Sequence, residues 1–431
     1  MRVNLLIIGT RGDVQPAVAL GMGLKKAGFD VWLGAFGEFR SLAEAYGLGF
    51  IPLSGNVPEL LKQGAGKKTF TGTAFFELLK LFQKMFSTMF TEFWQVSQGC
   101  DLLISNAATT MVVEPVAEKL YIPHIETSIF PGLPTRAFPS FFGPWPPSLG
   151  APSRGLVGQM KGALNWFSYK PVNWAVALGV RPIIERCRRD ILGLPARKPQ
   201  QTGRPITPIL SGFSQHVLPR PVEWGEHLHI TGYWYLDTPD FEPLPDLQAF
   251  LEAGTPPVYI GFGSMPSENP EQVTEMMIQA LALSGQRGIL FTGRGPLGRG
   301  MAQQSSTQPV YFVESIPHDW LLPRTAAVVH HGGAGTTAAG IRAGIPSILI
   351  PIGADQRLWA YRVKALGVGP APIPRSRLSA ERLAKAITRA AGDPAMRQRA
   401  VDLREKVRAE DGVGEAVRII CQYMDTKSQG N

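Results

Sequence analysis

The chain is poor in cysteine and, for its length, in charge. Cys100, Cys187 and Cys421 are the three thiols in 431 residues. Their odd number, wide separation and lack of C-x-x-C spacing exclude a disulfide framework and a cysteine-built zinc site, and fit a reducing compartment. Charged residues make up 18% and apolar residues 44%, which excludes a disordered chain and allows a sizeable core. No uninterrupted apolar run reaches the ~18 residues needed to cross a bilayer. The apolar start, Val3 to Ile8, is short and passes directly into Thr10-Arg11-Gly12-Asp13, the pattern of a buried strand rather than an export signal. A cytoplasmic protein is expected. The balance of 43 basic against 34 acidic residues, a net charge of +9, suits phosphorylated ligands or an anionic membrane surface. The basic residues are scattered apart from Arg186-Cys187-Arg188-Arg189 and do not interleave with aromatics, so no nucleic-acid partner is expected.

Single cores rarely grow past ~250 to 300 residues, so this length predicts two large domains. Both halves alternate strand and helix signals. The first runs Val3 to Ile8, Ala17 to Ala27, Val31 to Ala35, Phe39 to Tyr46 and Gly49 to Leu53, with further strands at Leu102 to Ile104 and His124 to Thr127. The second begins at Val258 to Phe262 and continues through Ile289 to Phe291, Val310 to Phe312, Ala327 to Val329 and Ser347 to Ile350. Continuous apolar strands imply parallel sheets covered on both faces, whose ligands bind at the carboxyl ends of the strands. The loop Gly9 to Asp13 lies at such an end. The proline-rich stretch Phe138 to Pro152 cannot be regular structure and reads as a binding loop or lid with exposed aromatics. Prolines and aspartates between Tyr235 and Pro257 mark the boundary. The expected organisation is therefore an α/β domain over residues 1–236, a linker over 237–257, a second α/β domain over 258–412 and a final helix in 413–431. Ser379 is a plausible helix cap. His227-Leu228-His229 is read as an alternating strand edge, without the further ligands a metal site needs.

The richest segment is His330-His331-Gly332-Gly333-Ala334-Gly335-Thr336-Thr337, between the strand Ala326 to Val329 and a helical stretch. Glycines allow close backbone approach, and the free N–H groups and dipole of a helix start favour an anion such as phosphate. This stretch has neither the Walker lysine nor the G-x-G-x-x-G spacing of dinucleotide folds. Taken alone, it is also simply a tight strand-to-helix turn.

Together with Ile316-Pro317-His318-Asp319-Trp320-Leu321, Ala343-Gly344-Ile345-Pro346 and Asp355-Gln356, the glycine run resembles family 1 GT-B glycosyltransferases. Within them, Gly9-Thr10-Arg11-Gly12-Asp13-Val14-Gln15-Pro16 is similar to the sterol glucosyltransferase branch and its antibiotic-tailoring bacterial relatives. The resemblance implies two Rossmann-like domains facing a cleft, the C-terminal one holding a nucleotide sugar and the N-terminal one an acceptor, with the last helix crossing back. It implies an inverting transfer of a hexose, foremost glucose from UDP-glucose with a TDP-sugar as second choice, to a hydroxyl of a lipophilic acceptor such as a sterol, terpenoid, macrolide or lipid. No Asp-x-Asp pair occurs in the chain, and neither metal nor cofactor is expected. The alternatives are a nucleotide-sugar epimerase of similar architecture and a non-catalytic relative that binds a partner or lipid.

Each chemical task has its residues. N–H groups of Gly333, Gly335 and Thr336, with the Thr336 hydroxyl, suit the charge growing on a departing diphosphate. The resemblance adds His331 and Ser264 there, and Asp355 and Gln356 on sugar hydroxyls; without it, Asp355-Gln356 reads as a loop cap. Asp13, at the end of the first strand beside Thr10, Arg11 and Gly12, is the expected base. It is equally a good helix N-cap with Pro16 in the first turn. The plant histidine–aspartate dyad has no counterpart, since Asn106 stands where its aspartate would, and Ala339 stands where plant relatives place the glutamate that grips the ribose. On the acceptor side, apolar residues recur at helical spacing from Phe75 to Trp94, including Phe82 and Phe86. That stripe reads either as core or as a flexible apolar wall for an acceptor or a membrane contact. Phe141 and Trp145 in the proline-rich loop are further acceptor candidates.

Overall fold

The computed structural model describes residues 1–56, 72–140, 155–197, 207–238, 240–262, 270–292, 310–353 and 355–429. The first half runs β1 (Arg2–Leu6), α1 (Arg11–Lys26), β2 (Asp30–Phe36), α2 (Arg40–Ala45), β3 (Gly49–Leu53), α3 (Gly72–Val96), β4 (Leu102–Asn106), α4 (Thr110–Leu120), β5 (His124–Ser128), α5 (Leu156–Phe167), α6 (Lys170–Ala175), α7 (Arg181–Asp190), β6 (Ile209–Ser211) and β7 (Leu228–Ile230). Its strands form one sheet in the order β3-β2-β1-β4-β5-β6-β7. Every pairing is parallel, for instance Val3 beside both Val31 and Leu102. β1 sits centrally, and its Val3, Leu5 and Leu6 are wholly buried, as a doubly covered parallel strand requires.

The second half comprises α8 (Pro245–Glu252), β8 (Val258–Gly261), α9 (Pro270–Ser284), β9 (Gly288–Phe291), β10 (Val310–Val313), α10 (His318–Leu321), β11 (Ala327–His330), α11 (Ala334–Ala343), β12 (Ser347–Leu349), α12 (Gln356–Leu366), α13 (Ala380–Gly392), α14 (Pro394–Arg408) and α15 (Gly412–Gln429). Its parallel sheet has the order β10-β9-β8-β11-β12. In each sheet the first strand is flanked on one side by the next strand and on the other by a later one, which creates a switch point. The loop after β1 and the turn after β11 both sit at these switch points.

The segment 237–257 contains a helix, α8, whose Leu247, Phe250 and Leu251 pack with Tyr259 and Val313 of the second half. Helix α15 returns to the first half, where Val413, Ala416, Ile419 and Ile420 join Val14, Val18 and Leu20. Gly23 permits this approach, because a Cβ there would run into Val413. A further core bridges the halves and unites Phe213, Val217 and Tyr233 with Ala338, Leu349, Leu358 and Trp359.

Three expectations are corrected. Helix α1 begins at Arg11, not at Ala17, because capping by Thr10 and Asp13 outweighs Pro16 within the helix. Phe138 is buried edge-on against Trp224 at 6.3 Å, so the proline-rich stretch does not open with an exposed aromatic. Phe86 is buried with Phe90, Phe93, Val113 and Cys187, and serves the core.

Helices α5 to α7 form an insertion between β5 and β6, with a π-helical turn at Val176–Val180. It is clamped to α4 through Arg188, 1% exposed, whose guanidinium donates to both carboxylate oxygens of Glu118 at 2.8 and 2.9 Å. Arg197 joins at 2.6 Å. These bonds hold the Glu118 carboxyl at about 2, below its ordinary value. Glu118→Gln leaves the buried Arg188 with only the longer ion pair to Glu185 at 3.6 Å and should lower stability by about 1–2 kcal/mol, read from the urea midpoint at neutral pH. Because the folded pKa lies below the unfolded one, this contribution is present above the ordinary carboxylate range and is lost as pH falls through about 2.

Candidate active site

The turn after β1 is fixed by a reciprocal cap. Thr10 is the N-cap residue and accepts from Gly12 N at 3.3 Å. Asp13, at the third helical position, accepts through Oδ2 from Thr10 N at 2.8 Å and from the Thr10 hydroxyl at 3.2 Å. Asp13 is therefore not the N-cap residue itself but the returning half of a capping box. Gly9 has no side chain because a Cβ there would collide with the Asp13 carboxylate. Burial lifts the Asp13 carboxyl above its ordinary value, against the bonds from Thr10 that lower it. Asn106, at the end of the adjacent β4, braces the exit of β1. Its Nδ2 donates to Ile8 O at 2.8 Å, and its Oδ1 accepts from Thr109 N and Oγ1 at 3.2 and 3.0 Å.

The turn after β11 separates the two histidines. His330 is fully buried and its Nδ1 accepts from Gly332 N at 3.1 Å, so it shapes the turn. His331 leans over the helix start: a Cβ on Gly333 would stand 2.5 Å from His331 Nε2. Burial pushes the His331 pKa down, which keeps the ring neutral and able to donate from one nitrogen. Gly333 is the N-cap residue of α11 and brings no side chain to the first-turn N–H groups. Thr337 Oγ1 donates to Gly333 O at 2.9 Å, whereas Thr336 stands half-exposed in the first turn.

The loop before α12 leans on this turn, since a Cβ on Gly332, whose φ is +92°, would meet the Gln356 carbonyl at 3.0 Å. Gln356 Oε1 accepts from Ile352 N and Gly353 N at 2.9 and 3.3 Å, so its carbonyl end caps the loop. Asp355 Oδ2 accepts from Trp359 Nε1 at 3.0 Å. Desolvation raises the Asp355 carboxyl to about 6, and the charge of Asp13 adds to the rise. Carboxylates from opposite halves thus sense each other across one gap. The turns themselves touch, because a Cβ on Gly335 would lie 3.9 Å from Gly12 Cα. Arg11, exposed at the rim, lies near enough to His318 to help depress that histidine to about 4, after burial, while His318 Nε2 hydrogen-bonds Tyr259 Oη at 3.2 Å. Phe141, Trp145, Ser264 and the side chain of Phe82 lie outside the described residues.

The N-terminal domain of glycosyltransferase family 28 matches residues 3–139, and the C-terminal domain of erythromycin biosynthesis protein CIII-like proteins matches 301–422. A sterol 3-beta-glucosyltransferase of Arabidopsis thaliana is 34% identical across 100% of this chain and 66% of its own length. O-mycaminosyltylonolide 6-deoxyallosyltransferase of Streptomyces fradiae is 34% identical over 99% of both chains. The chain spans about a quarter, 27%, of the sterol 3-beta-glucosyltransferase of Cryptococcus neoformans, to which it is 33% identical. Among solved structures, the calicheamicin glycosyltransferase CalG4 superposes with a TM-score of 0.72 at 17% identity over 98% of each chain. Glycosyltransferase VinC in complex with DTDP gives 0.67 at 18% identity, over 99% of this chain and 100% of that one. The chain belongs to the GT-B glycosyltransferases, in the sterol glucosyltransferase-like branch.

In this GT-B cleft the geometry gathers Thr10, Arg11, Gly12 and Asp13 opposite His331, Gly333, Gly335 and Thr336, with Asp355 and Gln356 alongside. Sequence reasoning missed Trp359 and His318 as supports. Trp359 holds Asp355 and also packs edge-on against Phe213 of the first half at 6.0 Å. Its only sequence signal is the i, i+4 spacing from Asp355.

Two variants test the site. Asp13→Asn keeps an acceptor for Thr10 N, and a carboxyl with a raised folded pKa costs stability at neutral pH, so this variant should melt no lower than wild type. It should lose activity by about 10²–10⁴-fold. Wild-type turnover should fall as pH drops through the raised Asp13 pKa, whereas stability moves oppositely: the Asp355 contribution falls as pH rises from the ordinary carboxylate range to about 6, and that of Asp13 falls as pH rises through its own raised pKa. In Trp359→Phe the packing on Phe213 survives while Asp355 is released; donor KM should rise about tenfold with acceptor KM unchanged, measured by initial rates.

Proposed function

We propose that this protein moves a hexose from a nucleoside diphosphate sugar to a hydroxyl of a lipophilic acceptor, with inversion at the anomeric carbon. The observation that carries this reading is the meeting of the two turns. A carboxylate sits on one side of the gap, and a helix start with no side-chain cap, overhung by a neutral histidine, sits on the other. Asp13 takes the proton of the acceptor hydroxyl as its oxygen attacks the anomeric carbon from the face opposite the diphosphate. The bond from that carbon to the diphosphate oxygen breaks, and the diphosphate receives the electron pair. Its growing charge is met by the N–H groups of Gly335 and Thr336, the Thr336 hydroxyl and a ring N–H of His331, all preoriented by the turn. Asp355 and Gln356 hold sugar hydroxyls, with Trp359 fixing Asp355. Ser264 is assigned to the same phosphates and Arg11 to the rim.

In this reading residues 1–236 present the acceptor and 258–412 the donor, joined through 237–257 and tied by the helix in 413–431. The donor is UDP-glucose in the first instance, since the Arabidopsis and Cryptococcus relatives are named as glucosyltransferases. The DTDP in VinC and the deoxyallosyl transfer named for the Streptomyces relative support a TDP-sugar as the second choice. Ala339 brings no carboxylate to the ribose, which fits either nucleotide. The named relatives transfer sugars, which favours transfer over epimerisation and over a purely binding role. No helix among the described residues is long and apolar enough to cross a membrane. In this reading the protein is cytoplasmic and its contact with lipid is peripheral.

The test incubates purified protein with UDP-glucose, UDP-galactose and TDP-glucose against a sterol, a macrolide aglycone and a terpenoid alcohol, and reads products by mass spectrometry. A hexosylated acceptor, formed with equimolar nucleoside diphosphate and absent with Asp13→Asn, is expected. An epimerised sugar nucleotide, or intact donor with every acceptor, would overturn the reading.

A further inference from the structure

Helix α5 is built inside out. It buries only Gly158, Gly162 and Asn165, placing Gly162 against Arg136 and donating from Asn165 Nδ2 to Arg136 O at 2.9 Å. Its large apolar side chains, Leu156, Val157, Met160, Leu164 and Phe167, all face solvent. Trp174 of α6, 68% exposed, and Leu178 in the π-helical turn extend the surface. Half of the protein's sixteen large apolar residues that stand exposed among the described residues lie between 156 and 178, so they form one patch instead of the usual scatter.

The charge carried by the patch's own segment has one sign, and the acid beside it, Glu223, is engaged by Thr135 Oγ1 and Arg136 N at 3.2 Å. From Gly155 to Ile184 there is no aspartate or glutamate, while Lys161, Lys170 and Arg181 are present and exposed. Lys170 Nζ lies 4.4 Å from the centroid of the Phe167 ring. A second copy of the chain docking here about a two-fold axis would press these cations against their own equivalents with no acid on the segment itself to answer them. An anionic lipid surface answers both features, taking apolar side chains into the acyl boundary, tryptophans at the interface and cations among the headgroups.

We propose that the outer face of α5 and α6 is a membrane-docking surface for anionic bilayers, distinct from helix α3, whose Phe86, Met89, Phe90 and Phe93 are buried in the core. The patch is wired to the cleft. Ser168 Oγ accepts from Ser140 N at 2.8 Å and Tyr169 Oη donates to Phe138 O at 3.2 Å, and Phe138 belongs to the core that contains Trp359. A lipophilic acceptor leaving the bilayer at α5 is therefore separated from Trp359, the support of Asp355, by that one shared core. This inference deepens the proposed function, but its test reads binding and not transfer, so either can fail alone.

The experiment is co-sedimentation of the full chain with vesicles of phosphatidylcholine alone and of phosphatidylcholine mixed with phosphatidylglycerol. Wild type should pellet with the mixed vesicles and be released by salt. Leu164→Gln/Phe167→Gln and, separately, Lys161→Gln/Lys170→Gln should each weaken partitioning by about tenfold or more, with melting temperature and donor binding unchanged because these side chains lie on the surface. Three results would overturn the proposal. One is a wild type that stays in solution with both vesicles. Another is a set of variants that pellet as wild type does. The last is a lipid-free dimer that Leu164→Gln/Phe167→Gln converts to monomer, which would assign the patch to a second copy.

Discussion

The close approach of Gly12 and Gly335 is the contact on which the cleft depends. Each glycine lies in the first turn of a helix, and each helix start carries the equivalent of about half a positive charge. Bringing two such ends together is electrostatically unfavourable unless negative charge lies between them. The first helix supplies its own in Asp13, held by Thr10 N at 2.8 Å. The second supplies none, since Gly333 caps it without a side chain. The gap is thus asymmetric before anything binds: one side is compensated by a carboxylate and the other awaits an anion. The proposed function rests on that asymmetry, with a base on one side and a leaving-group site on the other.

Burial does the remaining tuning. Loss of water raises Asp13 and lifts Asp355 to about 6, and the same loss lowers His331. Both carboxylates are thereby moved toward the range where a proton is readily accepted, and the histidine is kept neutral until an anion arrives. The capping box limits how far Asp13 rises, because the bonds from Thr10 favour its charged form. The capping role is thus observed, and the proposed function asks the same carboxylate to act as base without giving that role up.

Much of this was legible in the chain. Apolar runs marked the strands of both sheets to within a residue or two, because parallel strands buried on both faces have to be continuous. The glycine turn was legible because a helix start facing a ligand needs small residues in sequence order. Strand β6, three residues long, carries too few side chains to show a period, and of β7 the sequence showed only the alternation at His227-Leu228-His229. Helices α5 to α7 were hidden for a different reason: α5 buries glycine and asparagine and exposes leucine and phenylalanine, which inverts the rule by which a buried helix face is found. The distinction between His330 and His331 depends on which ring meets Gly333, a fact of turn geometry that no spacing encodes. Trp359 stayed invisible because its partner Phe213 is 146 residues away.

Trp359 shows how the two halves are made to act together. It donates to Asp355 and packs against Phe213, so the loop beside the glycine turn is positioned partly by the opposite half. The bridging core around it, the return of α15 and the bond from Tyr235 Oη to Ala338 O at 3.1 Å resist separation of the halves. A rigid-body opening of the cleft would cost burial in that shared core and would withdraw the support of Asp355 at the same stroke. The placement of Asp355 and the apposition of the two halves are consequently coupled, and the Gly12–Gly335 contact belongs to the arrangement in which both hold.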